Sequence, residues 1–440
     1  MTAALPTTIF ALSSGQGRAG VAVLRVSGPQ AGKVVEILAA PIPKPRKAAL
    51  RKIRHPNGEI IDEGLVLWFP APGSATGEDL AEFHVHGAPA VVRLLIEVLS
   101  AQEGLRLAEP GEFSRRAFAN GKLDLVEVEG LADLLNAQGE AQRRLAMRQF
   151  LGEASAVYER WRGDVITALG LHEAAIDFSD EDDVAAKALE AARPVIGGLV
   201  AELRNALEKS SQNAAIRSGL RLVIAGPPNA GKSSLLNALA GREAAIVSPI
   251  AGTTRDVVEA QIMFEGLPLT LADTAGLREG SGDVIEQMGM ARAQSEARDA
   301  DILIWVSAPD AAEKVGPPRK PDLLVENKAD LDSIRSRNDS ALLVSTKTGF
   351  GLNRLREVLK NLIHVKLAGA EDAIVVRQRH VLAVEESIRL LNKCLGESGR
   401  AAELVAEDLR GAARALGSIT GHVDVEDLLG KIFSEFCIGK

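Results

Sequence analysis

The stretch "LRLVIAGPPNAGKSSLLNALA", residues 220–240, constrains the fold more than any other. An apolar run leads into a glycine-rich turn, and the turn opens onto a helical pattern. The turn "GPPNAGKSS" (226–234) fits G-x-x-x-x-G-K-[ST] through Gly226, Gly231, Lys232 and Ser233. Glycines let the backbone curl so that its N–H groups converge on phosphate oxygens. Lys232 can then reach the outer phosphates, and the Ser233 hydroxyl can sit on Mg2+. The motif has meaning only between a strand and a helix, which is the context it has here.

The surrounding region extends that pattern. From about 216 to 365 strands and helices alternate: "LPLTLAD", a helix near 284–299, "DILIWVS", "PDLLVEN", "LLVSTK" and "LNRLREVLKNLI". Alternation of this kind implies βα units on a largely parallel sheet. Four further motifs follow in order. "DTAG" (273–276) ends a strand, so Asp273 can hold Mg2+ directly or through water, and the Gly276 N–H can meet a γ-phosphate. "GTTRD" (252–256) can bring Thr254 onto the metal. In "NKAD" (327–330), Asp330 can accept both N–H groups of a guanine edge, which adenine cannot supply, while Asn327 and Lys328 brace the ring. "STK" (Ser345, Thr346, Lys347) can close over the base. Order and spacing match a translation-factor-type GTPase, with GTP and Mg2+ as its ligands.

The hydrolytic apparatus departs from the Ras pattern. The residue after "DTAG" is Leu277 rather than a water-orienting Gln, so another group must position water and offset the developing charge. Asn229 lies inside the phosphate loop; its amide oxygen either ligates a monovalent cation or stabilises the turn. Glu286 either holds the attacking water or is a solvated helix charge.

The flanks differ in texture. Residues 1–118 mix strand-like runs ("TTIFAL", "GVAVLRVSG", "EGLVLWF", "LAEFHVHG") with one helix, "PAVVRLLIEVLSAQ". Residues 119–215 and 366–440 are helical in period: Val128, Leu131 and Leu135 share a face, as do Val165, Leu169, His172 and Ile176. Later stripes are Val384, Ile388, Leu391 and Leu395, then Val425, Leu428, Ile432 and Phe436. The acidic stretch "DFSDEDD" (177–183) reads as a solvated turn. Helices on both sides of an α/β block indicate that the block is inserted into a helical domain. The expected fold class is therefore multidomain α/β: an N-terminal α+β domain (1–118), a discontinuous all-α domain (119–215 and 366–440) and an inserted P-loop GTPase domain (216–365).

A formal net charge of −8 argues against a general polyanion binder but leaves room for a local basic patch. Arg143, Arg144 and Arg148 on one helix are either a solvated face or such a patch. Two cysteines make no disulfide framework, and no signal peptide or spanning helix is evident, so a cytoplasmic protein with no membrane partner is expected. Cys394 reads as a core thiol. His84 and His86 share a strand face without further ligands at zinc spacing. Cys437, in the tail "SEFCIGK", reads as a thiol packed behind Phe433.

These motifs, with "FSRRAFANGKLDLVEVEGLADL" (113–134), "TGEDLAEFHVHG" (76–87) and the terminal "FCIGK", closely resemble the tRNA-modification GTPase family MnmE (TrmE) over nearly the whole chain. The resemblance implies a tetrahydrofolate-binding N-terminal domain that dimerises, a discontinuous helical domain and an inserted G domain. It implies a homodimer working with an FAD-dependent MnmG-type partner in a heterotetramer. Together they install an aminomethyl-type (carboxymethylaminomethyl) group on C5 of the wobble uridine of certain tRNAs. A regulatory or ribosome-assembly GTPase without modification chemistry is the competing reading.

At residue level the resemblance implies K+ as a cofactor, held by Asn229 with Ser248, Ile250 and Thr253, and Glu286 as the residue orienting water. It places Ala230, Ser234, Pro249, Ala251, Gly252, Thr274 and Ala275 beside the nucleotide with the motif residues already named. A tetrahydrofolate derivative, 5,10-methylene or 5-formyl, would meet Arg25, Glu82, Lys122 and Lys440. Cys437 would lie near the one-carbon chemistry as nucleophile or support, with Lys440 lowering its pKa. The chain departs from the family in "SSGQGRAG", where a Pro-Pro-Gly-type turn is common, and in "HVHGAP", where Cys-His-Gly-Gly is commoner.

Overall fold

The computed structural model describes residues 7–177, 182–240, 259–273, 295–311, 316–331, 340–367, 374–396, 401–423, 429–430, 432–433, 436 and 439. The chain divides into two compact units. The first comprises Met1–Ala132, Gln149–Ala192 and Glu397–Lys440; the second comprises Asp133–Arg148 and Arg193–Gly396.

The first unit is built on a six-stranded sheet. Its strands are β1 (Thr8–Leu12), β2 (Ala19–Ser27), β3 (Ala49–Arg54), β4 (Ile60–Phe69), β5 (Leu80–Gly87) and β6 (Leu105–Leu107), in the order β3-β4-β5-β2-β1-β6. Alternation decides which face is covered. Leu24, Val26, Phe83 and Val85 point to one side and bury themselves under helices α1 (Ala31–Ala39) and α2 (Pro89–Ser100). Arg25, Glu82 and His84 point to the other. Neither α1 nor β3 was evident in the sequence: "AGKVVEILA" is short, and "ALRKIR" alternates without a strong apolar face.

Helix α3 (Glu112–Ala119) is tied to this sheet by charge. Arg106 donates to both Glu112 oxygens at 2.8 and 2.6 Å, and Arg116 donates to Glu112 at 3.0 Å and to Glu78 at 2.9 Å. Burial pushes the Glu112 carboxyl up. Hydrogen bonds from Arg106, the Glu109 N–H and Arg116, together with the Arg106 charge, outweigh it and bring the group down to about 2. A carboxylate lowered in the folded state stabilises the fold above its unfolded pKa of ordinary value and loses that contribution as pH falls toward about 2. Stability is therefore expected to decline between about pH 4.5 and 2, by at most about 3 kcal/mol from this group. Acid titration of melting temperature checks this: Glu112→Gln should be less stable at pH 7 and should flatten that portion of the curve.

Helical pieces complete the first unit. α6 (Glu153–Asp177) packs along Ala402–Thr420, the last long helix described, and Thr420 donates to Glu159 at 2.6 Å. Tyr158 and Trp161 are fully buried and meet edge to face, and Val165 and His172 of the expected stripe are buried. α4 (Leu125–Asn136) buries Leu125, Val128 and Ala132 against Ile432, Phe433 and Phe436, as the tail stripe predicts for its described members. Leu135, expected on the same face as Val128, is 48% exposed because its neighbours no longer cover that end of the helix. Val425, Leu428 and residues 178–181 of the acidic turn lie outside the described residues.

The second unit carries the α/β sheet, order β12-β11-β10-β7-β9-β8. These are β7 (Leu220–Ala225), β8 (Glu259–Phe264), β9 (Leu267–Asp273), β10 (Ile302–Ser307), β11 (Leu323–Glu326) and β12 (Leu342–Leu343). All neighbouring pairs are parallel except β8–β9, a hairpin. Leu222, Ile224, Ile302, Ile304 and Val325 are buried on one face, and Val223, Ala225, Leu303 and Trp305 on the other, the pattern of a covered parallel sheet. α9 (Lys232–Ala240) follows β7, and α10 (Leu352–Lys366) buries Leu355, Leu359 and Ile363.

Further helices are α5 (Glu140–Phe150), α7 (Asp182–Glu208), α8 (Ser210–Ser218) and α11 (Gln378–Gly396). In α11 the buried stripe is His380, Val384, Ser387, Leu390 and Leu391, so the expected Ile388 and Leu395 are only half-buried. Ser387 tolerates burial by donating to Ala383 O at 2.9 Å, which turns the face relative to the purely apolar stripe. Cys394 is likewise only half-buried, and its thiol donates to Leu390 O. Among the described residues, no helix is long and apolar enough to cross a membrane, and no cluster of three or more His, Cys, Asp or Glu could hold a metal.

Candidate nucleotide site

The phosphate loop runs from the end of β7 to the start of α9, at the carboxyl edge of the parallel strands, where ligands of such sheets bind. Its glycines are sterically required. Gly226 has φ +154°, and a Cβ there would lie 2.0 Å from Val306 O on β10. Gly231 has φ +87°, and a Cβ there would lie 2.2 Å from Asn327 Nδ2. The two glycines thus let the loop close tightly against its neighbours, a backbone shape whose N–H groups can converge on an anion. Asn229 sits at φ +63°, a left-handed conformation that Asn tolerates better than most residues. Lys232 Nζ donates to Pro227 O at 3.0 Å, folding the ammonium back across the loop.

The contact at Gly231 joins two distant motifs. Asn327 is buried at the end of β11, where its Nδ2 donates to Ala230 O at 3.1 Å and its Oδ1 accepts the Thr346 N–H at 3.3 Å. One amide therefore ties the phosphate loop to the "NKAD" and "STK" segments. Ser345, fully buried, donates from Oγ to Asp330 Oδ1 at 2.6 Å. That hydrogen bond, then the Asp330 backbone N–H and the charges of Lys347 and Lys328, hold the Asp330 carboxyl below its usual range. It is an anion with one oxygen anchored by Ser345 and the other 4.0 Å from Lys347 Nζ, and an ionised carboxylate can accept from guanine N–H donors. Lys328, at φ +64°, is pinned by Asp310 at 2.6 Å.

Of the expected nucleotide residues, the structure brings together Asn229, Ala230, Gly231, Lys232, Ser233 and Ser234 with Asn327, Lys328, Asp330, Ser345, Thr346 and Lys347. Asp273 ends β9 next to β7, paired in register with Ile224. Ser248, Pro249, Ile250, Ala251, Gly252, Thr253, Thr254, Thr274, Ala275, Gly276 and Glu286 lie outside the described residues. The described part fits a guanine nucleotide: a backbone cradle, a lysine at its mouth and an anchored carboxylate at the base position. Asp310, which orients Lys328, carried no motif; only its place after β10 marks it.

In the first unit, Arg25 and Glu82 face each other across β2 and β5, with Arg25 Nη2 2.9 Å from Glu82 Oε1. His84 Nε2 lies 3.1 Å from Glu82 Oε2, and the Arg25 guanidinium lies over the Phe113 ring. Strand alternation places His84 two residues from Glu82 on the same face, a signal present in the sequence. Lys122 runs alongside Gly77 in the turn before β5. The tail reaches this unit's sheet: Ser13 donates from Oγ to Gly439 O at 2.8 Å. Cys437 and Lys440 lie outside the described residues.

Comparison with known proteins agrees with this geometry. The family described as "MnmE helical domain" matches residues 125–437, and "GTP-binding protein TrmE N-terminus" matches residues 8–122. Three proteins named tRNA modification GTPase MnmE are similar at full length. That of Beijerinckia indica is 48% identical over 100% of this chain and 97% of its own. That of Bradyrhizobium sp. ORS 278 is 47% identical over 98% and 99%. That of Cereibacter sphaeroides is 49% identical over 98% and 100%. A match of this extent, over both the β-rich and the helical regions, shows that the chain belongs to the MnmE family of tRNA modification GTPases.

Proposed function

We propose that this chain hydrolyses GTP as a component of tRNA modification, acting at C5 of the wobble uridine. The observation that supports it most is the assembled guanine site: the anchored Asp330 carboxylate, and Asn327 binding the phosphate loop, in a chain related throughout its length to tRNA modification GTPases. Ser233 and Thr254, with Asp273 in support, would hold Mg2+, which would offset negative charge on the phosphates. Lys232 would stabilise charge on the transferred group, and the loop N–H groups would orient it. Asn229, Ser248, Ile250 and Thr253 would hold K+, and Glu286 would orient water where Leu277 cannot.

The finer reading includes a tetrahydrofolate derivative as one-carbon donor at Arg25, Glu82, Lys122 and Lys440, with Cys437 nearby. It also includes a homodimer, an FAD-dependent MnmG-type partner and a cytoplasmic setting. The domain division is 1–118, 119–215 with 366–440, and 216–365. The Glu82–Arg25 pair supports the folate part: a carboxylate held on this partly buried sheet face can accept from an amine edge.

The test is a nucleoside profile of tRNA from a strain lacking the gene. Loss of C5-modified wobble uridine is expected, and an unchanged profile would overturn the proposal in favour of a regulatory GTPase. With purified protein, GTP turnover is expected to be at least about tenfold faster in K+ than in Na+, a change of about 1.4 kcal/mol in barrier; equal rates would remove the K+ role.

A further inference from the structure

The first unit has a basic edge that the nucleotide and folate readings do not use. Lys44, Arg46, Lys47, Arg51, Lys52 and Arg54 fall within eleven residues, and no Asp or Glu occurs between Glu36 and Glu59. The overall charge is −8, so this concentration runs against the composition. The segment leads into and forms β3, which is the terminal strand of the sheet order, with β4 as its one neighbour. All six cations except the half-buried Arg51 are exposed. Buried Pro43 and Ile53 anchor the segment, and Pro41, Pro43 and Pro45 restrict its backbone.

Among the described residues, the arginines of this segment are held by carbonyls and not by carboxylates. Arg46 donates to Gly73 O, Arg51 to the carbonyls of Pro41 and Leu50, and Arg54 to Gly58 O. Among the described residues, none of the six makes an ion pair, including Lys52, which stands opposite Glu63 on β4. Several exposed arginines elsewhere are neutralised: Arg143 and Arg144 share Glu140, Arg389 pairs with Glu386, Arg410 with Glu173, and Arg414 with Glu407. Six like charges along one edge repel one another, and a partner of opposite charge offsets that repulsion.

We infer that the β3 edge, with the 44–48 segment before it, is a docking surface for the sugar–phosphate backbone of RNA. This rests on the reading that the chain acts on tRNA. Lys and Arg without carboxylate partners are what phosphate contacts require. The side chains of 44–54 other than these cations are Pro, Ala, Leu and Ile, which carry no polar group for reading base edges. The surface therefore positions the RNA without selecting its sequence. Lysine on an edge strand also discourages strand-to-strand aggregation, so the test must separate the two roles.

The experiment uses full-length protein and unmodified tRNA transcript, with affinity measured by fluorescence anisotropy across a KCl series. Lys44, Lys47 and Lys52 make no side-chain hydrogen bond among the described residues, so K44E/K47E/K52E is expected to fold, melt and hydrolyse GTP like the wild type. Its tRNA affinity is expected to fall at least about tenfold near 0.1 M salt. The slope of log K against log salt is expected to fall by about one per lost phosphate contact. The triple Lys→Gln variant should be intermediate. Undiminished affinity and slope in K44E/K47E/K52E, whose edge is still charged, would assign the lysines to edge protection and overturn the inference. So would loss of binding to phosphatidylserine vesicles with tRNA binding intact, which would mark a lipid surface. A wild type that binds no tRNA would overturn both this inference and the proposed function; a wild type and variant that bind equally would overturn the inference alone.

Discussion

Asp330→Asn is expected to lower GTP affinity by at least about a hundredfold and to create activity on xanthosine triphosphate. Guanine presents two N–H donors side by side, and the ionised Asp330 accepts both. Asparagine keeps one oxygen, which can still receive the Ser345 hydroxyl now 2.6 Å from Asp330 Oδ1. Its other atom becomes an NH2 donor, facing the exocyclic guanine amine as donor against donor. A buried donor left unmatched costs about 1–3 kcal/mol, and more where charge is lost. A site built to hydrogen-bond a group rejects the analogue that cannot comply. Xanthine carries a carbonyl at that carbon and so accepts from the asparagine. Michaelis constants for the two triphosphates measure the exchange. An unchanged preference for GTP would mean that Asp330 does not meet the base.

The second large effect is on stability. Asp133 Oδ1 accepts from Arg217 Nε at 3.0 Å and from Arg377 Nη2 at 2.8 Å, all within the second unit. Arg217 lies just before β7, and Arg377 just before α11. One carboxylate therefore holds both chain segments that flank the α/β sheet, beside a small core of Leu145, Ile216 and Val376. Arg377 is 9% exposed, so removing its carboxylate takes a counter-charge from a buried cation. Arg217 is more open, and its share is screened. Asp133→Ala is expected to cost about 2 kcal/mol, a fall of about 5 °C in the melting of this unit. Arg377→Ala in the Asp133→Ala background should cost much less than it does alone, because the two share one interaction. Additive losses in that cycle would exclude the coupling.

The guanine motifs were legible because each is local: a glycine at fixed spacing, an Asp at a strand end, an Asn before a Lys. The tie between them was not. Asn327 was read as a brace for the base; the structure adds that its amide fills the space a side chain on Gly231 would need. The apolar stripes located α4 and α6, but Leu135 and Ile388 show that period alone does not say which end of a helix is covered. β3 carries no strong sequence signal, because this edge strand buries only Ile53 fully and its pattern is dominated by cations.

By itself the sequence determined the chemistry that the second unit can perform, because phosphate and guanine recognition depend on residue types at short fixed spacings. It also determined the family, because similarity of this extent survives only when a whole fold is shared. Which charges are neutralised by partners distant in the chain was decided by tertiary structure alone. Arg25 meets Glu82 across 57 residues and Arg377 meets Asp133 across 244. No spacing rule anticipates pairs whose partners are brought together only by strand register and helix packing. The unpaired cations of β3 stand out only once those pairs are known.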